Sequence, residues 1–233
     1  MAGKSLLSLG STVVHRPSGG VPARAAVVFS HGLGDTPHGW AMMTSSMARA
    51  LPGVVFVHPQ APTRAVTCNG GMAMPSWMDL AEIPVTPTMA DTGRDMEDSV
   101  GMIHATVDEL VQKEGIPADR VLLAGFSQGG ALSLVSFLKY PSKLGGCMVL
   151  SGWAAPASNV PSLAAASASK ESPVFVGHGD SDGVVIPACG DQVVAILKEN
   201  NYSVKSESYA NMAHSSCGRE EQDMLDFFKT TLA

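Results

Sequence analysis

A serine between two glycines, Gly125-Phe126-Ser127-Gln128-Gly129, stands where the aliphatic run Val121 to Ala124 gives way to an apolar helical pattern. A strand that turns sharply into a helix through Gly-x-Ser-x-Gly is a nucleophile elbow. The turn strains the serine backbone, and strand and helix approach so closely that positions 125 and 129 must lack a Cβ. Ser127 is thereby lifted clear of a sheet, beside a helix N-terminus whose first N–H groups have no internal partner. A serine hydroxyl is a weak nucleophile at neutral pH. Acyl chemistry therefore also needs a base to take its proton and an acid to orient that base.

Chain order narrows the search, because elbow serines of this architecture are followed first by the acid and then by the histidine. Of seven histidines, only His178 and His214 come after Ser127. His178 has only Glu171 ahead of it, in an Ala/Ser-rich stretch that precedes a strand. His214 remains as the base, in the loop Ala210 to Ser216. Asp180 and Asp182 sit just past the run Val174 to Gly179, at the carboxyl edge of a strand, where the sites of such sheets collect. Position allows either as the orienting acid, with Asp182 preferred; a turn-forming role is the plain alternative for both. An oxyanion needs N–H donors, one from the residue after the nucleophile, Gln128, and one from a loop after an early strand. Ser30-His-Gly-Leu-Gly-Asp35 has glycines that let its amides turn inward, and Leu33 is the expected second donor.

These groups need a frame. Near-continuous aliphatic runs at Ala25 to Phe29, Val54 to Val57, Val121 to Ala124, Cys147 to Leu150 and Val174 to Val176 suit strands covered on both faces. Tyr202 to Tyr209 suits an outer strand, and Thr12 to His15 an antiparallel one at the start. Helical spacing recurs over Trp40 to Leu51, Arg94 to Glu114, Gln128 to Lys139, Asp191 to Glu199 and Glu220 to Leu232. Alternation of this kind predicts an α/β fold, a doubly wound, mostly parallel sheet with helices on both faces. Gln60 to Asp91 and Ala154 to Ser172 lack a regular pattern, and the first is long enough to be a lid or binding loop.

At 233 residues, 45% apolar and 15% charged, the chain can bury a large core. No compositional break divides it, so residues 1–233 read as one domain. The net charge of −6 offers no footprint for nucleic acid. No apolar run approaches the ~18 residues needed to cross a bilayer. Met1 to Gly10 is too weakly basic and apolar for a secretory signal. Cys68, Cys147, Cys189 and Cys217 show no metal-ligand spacing and read as free thiols, which points to the cytoplasm. No metal or organic cofactor is implied.

The motifs together resemble the acyl-protein thioesterase and carboxylesterase branch of the α/β-hydrolases, also described as lysophospholipase-like. The likeness runs from about Val27 to Phe228. It rests on His31-Gly-Leu-Gly-Asp35, Pro59-Gln-Ala-Pro62, Met74-Pro-Ser-Trp77, Gly115-Ile-Pro117 with Arg120, Gly125 to Ala131, Leu150-Ser-Gly-Trp153, His178-Gly-Asp-Ser-Asp182 and Met212-Ala-His214. The resemblance implies Ser127 as nucleophile, Asp182 as acid, His214 as base, and Leu33 and Gln128 as oxyanion donors. It makes residues 60–91 the cover of an apolar acyl channel, with Trp77, Leu80, Trp153 and Val184 at or beside its wall. Each of these four would serve equally as ordinary core. The implied substrates are S-acylated proteins or acyl ester lipids, with an esterase of short soluble esters and a lysophospholipase as alternatives and a non-catalytic binding module as a distant one. An apolar cover would also suit peripheral membrane contact or a homodimer. Two departures stand out. Asp182-Gly-Val-Val-Ile-Pro187 replaces the family's Asp-Pro-x-Val-Pro, and the chain begins Met1-Ala2-Gly3 without the cysteine that some members palmitoylate.

Overall fold

Strands that are apolar on both faces can lie only inside, and such runs form the centre of a seven-stranded sheet. The computed structural model describes residues 12–17 and 21–232; the reading of Met1 to Gly10 lies outside them. In chain order the elements begin with β1 (Val13–His15), β2 (Ala25–Ser30), α1 (Pro37–Ala50), β3 (Val54–His58), β4 (Thr63–Val66), β5 (Met72–Pro75) and α2 (Met96–Glu114). They continue with β6 (Val121–Phe126), α3 (Gln128–Lys139), β7 (Gly146–Leu150), α4 (Val160–Ala166), β8 (Val174–Gly179), α5 (Pro187–Glu199), β9 (Val204–Tyr209) and α6 (Gly218–Leu232).

The strand order is β1-β3-β2-β6-β7-β8-β9. Every pairing is parallel except β1 with β3, which is antiparallel with Val14 opposite Val57. The chain leaves β2 toward β3 on one side, then returns to build β6, β7, β8 and β9 on the other. The crevice between the carboxyl ends of β2 and β6 is thus the topological switch point, where sheets of this kind bind ligands.

Because successive strand residues point to opposite faces, the sheet feeds two cores. Val27, Phe29, Leu122, Ala124 and Met148 pack against Trp40 and Met47 of α1 and Phe227 and Phe228 of α6. Val28, Leu123, Val149 and Val176 pack against Ile103 and Val107 of α2, Leu134 and Phe137 of α3, and Val193 of α5. Helices therefore cover both faces.

The ends of elements differ from the apolar patterns in instructive ways. Helices α1 and α5 start at Pro37 and Pro187 rather than at Trp40 and Asp191. Proline at the first helical position has its φ already set and needs no N–H, a start signal independent of periodicity. Helix α2 starts at Met96, because Arg94 instead lies 2.8 Å from Asp79 in an ion pair. Strand β9 starts at Val204, and the Tyr202 hydroxyl donates to the Ala164 carbonyl at 3.2 Å.

The two patternless stretches hold structure of their own. Within residues 60–91, β4 and β5 form an antiparallel hairpin with Thr63 opposite Pro75. Within 154–172 lies the short α4, opened by Asn159 in the left-handed region and by Pro161. Residues 76–91 follow the hairpin over the switch point, and Asp79 anchors them by accepting from the Thr67 N–H and hydroxyl, both at 2.8 Å.

Candidate active site

Ser127 joins β6 to α3 with φ 57° and ψ −122°, a conformation that costs a non-glycine residue about 1–3 kcal/mol. The surroundings impose it. A Cβ at Gly125 would fall inside the Gly129 carbonyl, the strand-to-helix approach expected. A Cβ at Gly129 would strike the Ser30 and His31 carbonyls at the end of β2, so that glycine serves the neighbouring strand instead. The Ser127 N–H donates to the Leu150 carbonyl at 2.8 Å and fixes the turn from the β7 side.

The structure brings Ser127, Asp182 and His214 together. His214 Nε2 lies 2.9 Å from Ser127 Oγ, and His214 Nδ1 lies 2.7 Å from Asp182 Oδ2. An Nδ1–H directed to the carboxylate leaves Nε2 as the acceptor that faces the hydroxyl. The Phe126 ring packs on the imidazole at 4.7 Å between centroids. Asp180, the alternative acid, points elsewhere: its Oδ1 accepts from the Ser181 hydroxyl at 2.8 Å and the Asn211 N–H at 2.7 Å. It shapes the His214 loop and does not touch the imidazole.

The Asp182 carboxylate is buried and well supplied with donors. Its Oδ1 accepts from the Val184 and Val185 N–H groups at 2.9 and 3.0 Å. The departure Asp182-Gly-Val-Val-Ile-Pro187 thus still closes around this carboxylate. Gly183 has open space about it, so nothing crowds the turn.

Gln128 opens α3, where its N–H has no intrahelical acceptor. Both it and Leu33 line the same cavity as Ser127. The Gly32–Leu33 peptide is oriented from behind. His31 Nε2 accepts the Ala61 N–H at 3.2 Å, so Nδ1 carries the proton and donates to the Gly32 carbonyl at 2.8 Å. In a trans peptide the Leu33 N–H then points the opposite way from that carbonyl. Burial lowers the His31 pKa, which keeps the ring in this neutral form.

The cavity has a volume of about 230 Å³ and is lined mainly by apolar side chains, among them Trp40, Leu80, Ile83, Val85, Trp153 and Val184, with Ser127 and His214 beside them. Leu80, Trp153 and Val184 are thus in its wall. Trp77 is not: it is fully buried behind the loop after β2. Its indole N–H donates to the His31 carbonyl at 2.8 Å, and its ring packs on the His31 ring. Apolar size alone cannot separate a wall residue from a brace. The Gln128 side chain adds a clamp that spacing did not reveal, accepting the Trp77 N–H at 2.8 Å and donating to the Met78 carbonyl at 2.7 Å. Ile83 and Val85 lie in the expected cover and Trp40 in an expected helix, but no residue-type signal distinguishes them from their neighbours. Among the described residues no group of His, Cys, Asp or Glu is arranged to hold a metal ion, and no helix is long and apolar enough to cross a membrane.

An elbow serine at the switch point of a sheet with this order defines the chain as an α/β-hydrolase. Residues 12–232 match the family model described as Phospholipase/Carboxylesterase. Acyl-protein thioesterase 1 of Neurospora crassa is 40% identical over 232 residues, covering 94% of this chain and 93% of that protein. Its counterpart in Saccharomyces cerevisiae is 34% identical, covering 91% and 95%. Among solved structures, Arabidopsis thaliana SOBER1 superposes with a TM-score of 0.83 at 32% identity, covering 91% of this chain and all of that one. Zea mays acyl-protein thioesterase 2 gives 0.78 at 26% identity, covering 96% and 100%. The chain belongs to the phospholipase/carboxylesterase family and is a serine hydrolase.

Proposed function

We propose that this protein cleaves acyl thioesters or esters through a Ser127–His214–Asp182 triad and an acyl-enzyme, with S-acylated proteins as its main substrates. The observation that carries the reading is the pair of contacts made by one imidazole, 2.9 Å to the serine and 2.7 Å to the carboxylate. His214 Nε2 takes the hydroxyl proton as Ser127 Oγ attacks the carbonyl carbon. Asp182 holds the ring and stabilises the imidazolium, and the Leu33 and Gln128 amides receive the oxyanion. The imidazolium then protonates the departing thiolate or alcohol, and a water activated by His214 releases the fatty acid. The apolar wall beside Ser127 suits an acyl chain, and the relatives' names support a thioester in that place.

One observation favours a second reading, an esterase of shorter chains. A volume of about 230 Å³ lies below the roughly 300–1,000 Å³ of most small-molecule sites. A palmitoyl chain would have to extend beyond this cavity, past Ile83, which lines it and is half-exposed.

Ser127→Ala should lower p-nitrophenyl ester turnover by on the order of 10⁶-fold, and a fluorophosphonate should label Ser127 in the wild type. Full turnover by the variant sinks the triad. Acetyl, octanoyl and palmitoyl thioester peptides, run beside lysophosphatidylcholine, separate the substrate readings; a preference for acetyl rejects the fatty-acyl one.

A further inference from the structure

His178 lies at the end of β8, four residues before the acid, and sequence order sets it aside as a base. It is nonetheless buried, at 6% exposure, within the same cluster. Its Nε2 is 2.9 Å from the Val185 carbonyl and 3.5 Å from Asp182 Oδ2. A carbonyl only accepts, so Nε2 carries the proton. That N–H bonds to Val185 O and turns its positive edge toward the carboxylate, at a distance too long for a full second hydrogen bond. The other ring nitrogen, Nδ1, has no hydrogen-bond partner among the described residues. It faces Gly190 of α5, where a Cβ would come within 2.7 Å of it.

The segment that His178 holds joins the acid to the cavity. Val184 and Val185 give both N–H groups to Asp182 Oδ1 and both side chains to the cavity lining. Their carbonyls are also committed: Val184 O accepts from the Val85 N–H at 2.7 Å, and Val185 O from His178. Val85 pairs with Val185 as an isolated parallel bridge, and its carbonyl accepts the Ile186 N–H at 3.1 Å. Of these four backbone groups, three are held by Asp182 and the cover. The fourth rests on one imidazole.

Granting the triad proposed above, we propose that His178 is a positioning residue for Asp182. Its Nε2–H pins the Val184–Val185 segment, and thereby aims the carboxylate at His214 Nδ1 and sets one cavity wall. A neutral donor is what this place requires. A charged imidazole here would share the carboxylate's negative charge with His214 and weaken its hold on the imidazolium formed in catalysis. The groups around His178 are Asp182 on its own loop, His214 on the loop after β9, and Asp191 on α5. Burial outweighs the attraction of the two carboxylates and lowers the His178 pKa, so the ring stays uncharged.

The test compares wild type, His178→Phe and His178→Gln on an acetyl thioester, with active sites counted by fluorophosphonate. His178→Phe keeps ring volume without a donor, and His178→Gln restores an N–H near the position of Nε2. We expect kcat per active site to fall about 10- to 100-fold in His178→Phe with KM for this short substrate little changed. That is the range outer hydrogen-bond partners carry at metal sites. His178→Gln should recover most of the loss. Gly190→Ala, which presses on Nδ1 without removing the ring, should lower kcat in the same sense. In the wild type, ¹⁵N shifts should show His178 neutral with Nε2–H at about pH 7 to 8, and charging only below the ordinary histidine value. An unchanged kcat in His178→Phe, no rescue by His178→Gln, or a His178 that charges in that range each overturns the proposal. Should no variant fold, the wild-type ¹⁵N result decides alone. Failure to label Ser127 in the wild type would instead remove the triad itself, a distinct outcome.

Discussion

Glu220, in the first turn of α6, has no solvent exposure, and neither of its carboxyl oxygens has a hydrogen-bond partner among the described residues. Burial, followed by the charges of Glu221 and Asp223, raises its pKa from 4.5 to about 8. Below the unfolded value both states hold the proton and nothing is lost. As pH rises past 4.5 the unfolded chain releases its proton while the folded one keeps it, so stability declines until pH reaches the folded value. Between pH 5 and 7.5 this amounts to two and a half decades of proton affinity, about 3 kcal/mol. The N-terminal turn of a helix favours a negative charge by about 0.3–1 kcal/mol, which trims the expectation to about 2–3 kcal/mol. Glu220→Gln removes the ionisable group at nearly constant shape. Urea unfolding of both proteins should therefore show the variant gaining on the wild type by that amount from pH 5 to 7.5, or about 5–10 °C in Tm. Any fixed cost of the amide cancels in the comparison. A gap between the two proteins that stays constant within about 0.5 kcal/mol over this range would refute the reasoning.

Two further substitutions probe the frame. Gly129→Ala drives a methyl into the β2 carbonyls, so the elbow cannot keep its shape. Ester turnover should fall at least about 100-fold and Tm should drop, read by kinetics and calorimetry; a variant with wild-type values of both would reject the crowding account. Gly101, exposed in the middle of α2 with open space where a Cβ would go, is the opposite case. Gly101→Ala should add about 0.5–1 kcal/mol in urea unfolding without altering turnover.

Much of the frame was legible because burial on both faces demands unbroken aliphatic runs, and β2, β3, β6, β7 and β8 have them. The elbow was legible because Gly125 and Gly129 answer a steric demand that few other residues can meet. His214 follows from order and position together: a histidine must follow an acid that follows Ser127, and Glu171, the sole acid between Ser127 and His178, precedes its strand rather than lying beyond it. The hairpin β4–β5 escaped because its strands are half-exposed and mix Thr, Arg, Met and Pro, leaving neither alternation nor an aliphatic run. Helix α4 escaped because seven residues rich in alanine give too short a period to read. The motif around Trp77 points to a place at or beside the channel, yet its indole N–H serves the His31 carbonyl, a directional contact that composition cannot encode. For His178, sequence order speaks only to a role as base, and its place in His178-Gly-Asp-Ser-Asp182 is the single hint of a role beside Asp182.

The Gln128 amide and the Trp77 indole together staple the elbow, the Ser76–Met78 strip and the loop after β2 into one unit. Swapping the roof of this pocket for another, as a protein engineer seeking new chain lengths would wish to do, would therefore disturb the proposed oxyanion donors as well. Grafts that keep residues 76–78 and exchange only what lies beyond them are the ones that should retain turnover.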